Sequence, residues 1–195
     1  MFRKKKKGLS FYTKEKKKSS VNIKEILIYI YIVVAALLFA FVTVFLFGFR
    51  CKVIGSSMEK TIYSGQNVLV NEMIYLVSSP KSGDVIAFYP NGNKELHPYV
   101  KRVVGVPGQT LEVIGGKLYV DGEVYENFSY DFIEYEGLLE NPYEVQKDEY
   151  FVLGDNVNTS EDSRYGNLGA IKEDYIIGQV YFKFSDENHN MGLVK

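Results

Sequence analysis

Two side chains in this sequence have the chemistry of an attacking group and its base: Ser57 in Gly55-Ser56-Ser57-Met58, and Lys101 in Tyr99-Val100-Lys101-Arg102-Val103-Val104. A serine hydroxyl attacks well only when a neighbour takes its proton, and the commonest acceptor, histidine, is scarce here. Of the two histidines, His97 precedes Pro98 and His189 sits in a polar tail, so a Ser-His-Asp arrangement would have to use His97 as its base. No pair of histidines at ligand spacing and no cysteine cluster points to a metal, and no cofactor is implied. Cys51, the single cysteine, adjoins an apolar run with no histidine near it. Lipidation or an unreactive interfacial position suits it better than nucleophilic attack, and one cysteine permits no intrachain disulfide.

Lys101 interrupts a run that otherwise reads as a buried strand, and on strict alternation it shares a face with Tyr99 and Val103. Two readings of such a lysine stand. In one it lies at a strand edge and reaches its ammonium into water along an apolar stem. In the other it is held among apolar residues, its charged form is disfavoured, and the neutral amine serves as a general base. Half-neutrality at pH 7, from a reference near 10.4, requires a movement of about 3.4 pH units, roughly 4.6 kcal/mol, which full burial can approach.

The element that must position Ser57 is a membrane span. Ile26 to Phe49 is a run of 24 residues without a formal charge, and Ser57 follows eight positions after it. As a helix the run would measure about 36 Å against a hydrocarbon core of about 30 Å, enough to cross with some tilt. The connector keeps Ser57 within roughly 27 Å of the bilayer, so its substrate is expected to be membrane-associated. Residues 1–24 hold ten Lys or Arg, dense at Lys4 to Lys7 and Lys16 to Lys18, against the one acid Glu15. A short basic flank of this kind stays cytoplasmic and places the rest of the chain outside. Contact with anionic lipid or nucleic acid is the competing reading of the arm, and a secretory signal peptide that of the run. The run is long for a signal peptide, however, and no small-x-small cleavage site follows it. An uncleaved signal anchor in the cell membrane is expected, with a cytoplasmic arm over 1–25 and a span over 26–49.

Beyond the arm the composition changes sign of emphasis. Residues 25–195 carry 13 basic and 23 acidic residues, net −10 against −1 for the whole chain, which excludes a nucleic-acid binder on charge. The 145 residues from Cys51 to Lys195 suffice for one domain with a real core. Short stretches rich in Val, Ile, Tyr and Phe recur between Gly, Pro and Asn signals, at Val68 to Val70, Asp84 to Tyr89, Tyr99 to Val106, Leu118 to Val120, Tyr150 to Leu153 and Ile176 to Phe184. Gly115-Gly116 and Asp121-Gly122 bracket Lys117 to Val120 with hairpin turn chemistry. The expected fold is mainly β. Tyr125 to Glu149, acidic, aromatic and interrupted by Asn141-Pro142, reads as an inserted segment.

Four stretches, in order, resemble the bacterial type I signal peptidases, the leader peptidases, and more closely their Gram-positive members. Gly55-Ser56-Ser57-Met58-Glu59-Lys60-Thr61-Ile62 resembles the family's serine segment, and Gly65-Gln66-Asn67-Val68 with Ser82-Gly83-Asp84-Val85 resembles the strand entries that follow. Tyr99 to Gly108 resembles the lysine segment almost residue for residue. Gly154-Asp155-Asn156 with Ser160, Asp162-Ser163-Arg164 and Gly166 resembles the Gly-Asp-Asn segment. The sequence departs at Lys60, where the family usually has Pro, at Gln66, where it has Asp, and at Val157 to Thr159.

The resemblance implies an antiparallel β-rich Ser-Lys protease fold behind one transmembrane helix, with no cofactor and no metal. It implies that Ser57 is the nucleophile of a serine endopeptidase and Lys101 the general base, with Ser160 orienting Lys101, Asp162 and Arg164 pairing to hold the loop, and Gly55 near the oxyanion hole. Ile54, Met58, Ile62 and Val100 are the matching substrate-contact positions. The implied substrates are exported precursors cut after small residues at the end of their signal peptides. The bilayer and the secretion translocon are the implied surroundings. A peptidase dedicated to a narrow precursor set, such as pilin-like proteins, and a non-catalytic membrane-anchored β-domain are the alternatives.

Overall fold

The computed structural model describes residues 23–126, 130 and 132–194; the basic arm expected over 1–25 lies almost wholly outside them. Helix α1 (Ile23–Phe47) is apolar on all sides, with Glu25 in its first turn, where the helix dipole favours an acid. It is the one helix, among the described residues, long and apolar enough to cross a membrane, judged by length and composition. It begins three residues before the uncharged run and ends two before the run does, because Phe49 is taken into a strand by pairing with Val70.

Residues 46–195 form one compact unit, and it is almost entirely antiparallel β. The strands are β1 (Phe49–Lys52), β2 (Asn67–Asn71), β3 (Val85–Phe88), β4 (Tyr99–Gly105), β5 (Thr110–Ile114), β6 (Lys117–Val120), β7 (Glu123–Val124), β8 (Tyr143–Glu144), β9 (Glu149–Leu153), β10 (Ile171–Lys172), β11 (Ile176–Lys183) and β12 (Gly192–Leu193). All six stretches expected to be strands carry one. The large sheet runs β1-β2-β11-β3-β4-β9-β10, with β12 on β11, and the small sheet runs β7-β6-β5-β8. Gly115-Gly116 and Asp121-Gly122 have positive φ and close the β5–β6 and β6–β7 hairpins across two residues each, the backbone that matches strand twist.

Three groups of buried side chains hold the unit together. One, under the start of the large sheet, gathers Cys51, Val53, Met58, Ile62, Val68, Val85 and Val100. Cys51 is therefore a core side chain and not an interfacial one, and burial pushes its thiol upward in pKa, away from reactivity. A second, with Ile86, Phe88, Val103, Tyr150 and Val152, covers the sheet's middle. The third joins the small sheet to β4 and β9 through Val104, Leu111, Leu118, Phe151 and Leu153. The segment read as an insertion is packed into this third group by Ile133, Leu139 and Val145, and supplies β8 to the small sheet.

Candidate active site

Lys101 lies in the middle of β4, one residue before Arg102, which pairs with Leu153 at the end of β9. The chain leaves β9 as Gly154-Asp155-Asn156, so the register brings that loop beside Lys101. Asn156 then reaches the segment before Met58: its backbone N–H donates to the Ser57 carbonyl at 3.0 Å, and its side-chain amide donates to the Ser56 carbonyl at 3.2 Å. Gly154 permits this closeness. A Cβ there would collide with the Ser57 carbonyl and the Ser160 hydroxyl. Three segments far apart in sequence thus converge, and Ser57 and Lys101, separated by 44 positions, line one cavity of about 410 Å³.

Burial decides between the two readings of Lys101. It is 4% exposed, and loss of hydration lowers its pKa from 10.5 to about 8. Asp162, Glu161 and Asp155 oppose that shift while Arg164 adds to it. Asp155 and Asp162 are engaged elsewhere: Arg102 donates to both Asp155 oxygens at 2.7 Å, and Arg164 donates to Asp162 at 2.8 and 3.0 Å. Among the described residues, Lys101 Nζ has no ion pair or hydrogen bond, and it lies over the Tyr99 ring, 5.9 Å from the centroid. A lysine left in this state gives up its proton more readily than one in water.

The family match follows the same segments. The family model described as "Signal peptidase, peptidase S26" matches residues 24–185. The chain belongs to this signal peptidase family. Signal peptidase IB of Staphylococcus aureus (strain Mu50 / ATCC 700699) is 38% identical over 157 residues, covering 70% of this chain and 78% of its own. Signal peptidase I T of Bacillus subtilis (strain 168) is 37% identical over 166 residues, covering 80% of this chain and 84% of its own. A crystal structure of a signal peptidase I from Enterococcus faecalis V583 is similar over 53% of this chain and 98% of its own, at 30% identity and a TM-score of 0.40.

The remaining expected site residues of this signal peptidase are placed as follows. Ile54, Gly55 and Val100 line the cavity with Ser57 and Lys101. Met58 and Ile62 do not; both are fully buried, anchoring the Ser57 turn to the sheet's core. Gly55 has φ +91° with open space at its Cβ position, a backbone that suits glycine. Its own N–H is spent on Ser64 Oγ at 3.1 Å, whereas the Ser57 N–H donates to no acceptor among the described residues. Asp162 and Arg164 form the expected pair, and Arg164 also donates to the Tyr135 carbonyl at 2.9 Å, tying the loop to the inserted segment. Ser160 Oγ is buried without a partner. His97 lines the cavity too, exposed, with Nδ1 3.1 Å from the Pro98 carbonyl oxygen.

Several supporting residues escape sequence reading. The Arg102–Asp155 pair joins residues 53 apart. Lys183 donates to the Thr61 carbonyl at 2.5 Å, fixing the end of the Ser57 turn from β11. Lys60 adopts φ +85°, which a proline ring cannot, so the departure from the family's proline goes with a different backbone at that residue. Among the described residues, no three His, Cys, Asp or Glu side chains form a group able to hold a metal.

Proposed function

We propose that this signal peptidase removes signal peptides from exported precursors with Ser57 as nucleophile and neutral Lys101 as general base. The observation that carries the assignment is the shared cavity, lined by a serine and by a buried lysine whose amine has no partner among the described residues. Lys101 Nζ takes the Ser57 proton as Oγ attacks the scissile carbonyl carbon, and the Ser57 N–H is available for the oxygen that becomes negative. Collapse of the intermediate expels the new amine, which takes from Lys101 the proton that came from Ser57. The acyl-enzyme ester remains on Ser57. Neutral Lys101 then deprotonates a water that attacks the ester, and its proton returns to Ser57 as the acid product leaves. The Ser160 hydroxyl, partnerless beside Gly154, is suited to accept from or donate to the lysine amine and so orient it.

Anchoring by α1 with the basic arm on the cytoplasmic side puts this chemistry outside the cell membrane, where precursor ends emerge. The narrower alternatives, a dedicated precursor set or a non-catalytic β-domain, are not favoured by the family relationship. The test is cleavage of an Ala-x-Ala secretory precursor by the purified protein in lipid, beside Ser57→Ala and Lys101→Ala. Cleavage at the expected bond, lost in both variants, is the expected result; activity surviving Lys101→Ala overturns the proposed base.

A further inference from the structure

Four acidic or basic groups set the charge around Lys101 besides the lysine itself, and three of them cancel in pairs or are shared. Asp155 meets Arg102, and Asp162 meets Arg164, both pairs buried. Glu161, between Ser160 and Asp162, is different. Its carboxylate is exposed, lines the cavity, and is oriented by the Asn167 side-chain amide, which donates to it at 2.7 Å. No cation pairs with it among the described residues. Among the described residues, the other titratable side chains on the cavity wall besides Lys101 are His97 and Tyr99, and Glu59 and Lys60 of the Ser57 turn do not line it. With Lys101 neutral, as the proposed mechanism needs, Glu161 is the acidic side chain on a wall that carries no other carboxylate among the described residues.

We propose that Glu161 is a specificity-determining residue of this cavity: it favours precursors with a Lys or Arg within a few residues of the scissile bond and disfavours those with Asp or Glu there. The inference rests on the proposed peptidase activity and adds a substrate preference to it. An extended precursor segment that delivers its carbonyl to Ser57 must pass along the same wall as Glu161, since both line one cavity of about 410 Å³. A like charge placed there is repelled and an opposite one attracted. The excess of 23 acidic over 13 basic residues in 25–195 works in the same direction at longer range.

The experiment is a charge ladder. Lipid-reconstituted native chain cleaves a neutral Ala-x-Ala reference peptide and a set in which Lys or Glu replaces a neutral residue at one position, over three positions on each side of the cut, at pH 8.5 and low salt. At one position or more, kcat/KM for Lys over Glu is expected to favour Lys by roughly threefold to fivefold, the scale of an exposed ion pair, and to decline as salt is raised. Glu161→Gln removes that preference and Glu161→Lys inverts it. Glu161→Gln also moves the rising limb of the pH profile for the neutral reference to lower pH, since one of the charges that holds the Lys101 proton is gone, Asp162, Asp155 and Arg164 being unchanged. A flat ladder in the native chain, or a ladder unchanged in Glu161→Lys, overturns the inference while leaving the peptidase assignment intact. Failure to cleave the neutral reference overturns the assignment and the inference with it.

Discussion

Three long cationic side chains are buried within a few residues of the same corner of the sheet, and they are treated in opposite ways. Arg102 and Arg164 are saturated: each meets an aspartate through two or more hydrogen bonds, and each also donates to backbone carbonyls, Gly83 for the first, and Val157 and Tyr135 for the second. Lys101, adjacent to Arg102, meets none of this, and beside the same loop Ser160 Oγ is also left unpaired. Burying a charge costs several kcal/mol unless it is paired, so the two arginines are satisfied where they hold the loop, while Lys101, the base proposed above, is left without a partner among the described residues. The arginines are paired as scaffold is; the lysine is left as the proposed chemistry requires.

The largest expected effect breaks the chemical side of that comparison. Lys101→Met lowers kcat/KM by about 10⁴-fold, measured on the neutral precursor at pH 8.5. It also stabilises the protein. The Lys101 pKa is about 8 folded and 10.5 unfolded, so the unfolded chain binds more protons between those values. The group's cost is therefore present in full below pH 8, amounts to about 3 kcal/mol, and disappears as pH rises through 10.5. Urea unfolding at pH 7 should show Lys101→Met more stable than the native chain by up to that amount, with the difference fading above pH 10.

The scaffold side breaks in the other direction. Arg102→Met leaves Asp155 buried and uncompensated and is expected to cost about 3–5 kcal/mol of unfolding free energy, whereas Arg102→Met with Asp155→Leu should recover much of it. A smaller effect falls on the hinge between the two regions. Asn156→Ala removes the side-chain bond to the Ser56 carbonyl but keeps the backbone bond to Ser57, and is expected to cost about 1 kcal/mol in stability and roughly tenfold in kcat, with KM little changed. The smallest effect compares two serines of one loop. Ser163 Oγ accepts the Val152 N–H at 3.0 Å, so Ser163→Ala should cost about 1 kcal/mol or more. Ser160→Ala, which deletes a hydroxyl without a partner, should change stability by less than about 0.5 kcal/mol while still lowering kcat, and equal stability losses at the two serines would erase the distinction.

The chemical half of this arrangement was legible in the sequence because it is local. Ser57 and Lys101 stand in motifs a few residues long, Ser57 on a turn and Lys101 on a strand that runs apolar as buried strands do. The two glycine-containing hairpin turns were legible for the same reason, since a positive φ at Gly115 and Gly116 is a property of the residue itself. The scaffold half was hidden because it is made across the chain. Nothing near Arg102 announces an aspartate 53 residues away, and nothing near Thr61 announces Lys183. Met58 and Ile62 were read as substrate contacts from their motif, but apolar residues four apart in a turn over a sheet are drawn into the core, and only Ile54 and Val100 reach the cavity. Cys51 was misplaced for a similar reason: the strand that buries it exists only through pairing with β2.

The central claim is that a buried, unpaired Lys101 is the base for Ser57, and the pH dependence of kcat/KM between pH 5.5 and 10 tests it most directly. The account predicts a single rising limb with a midpoint near 8, the value burial sets for Lys101, shifted by Glu161→Gln and unchanged by His97→Ala. A rising limb that His97→Ala abolishes would contradict it and make His97 the base.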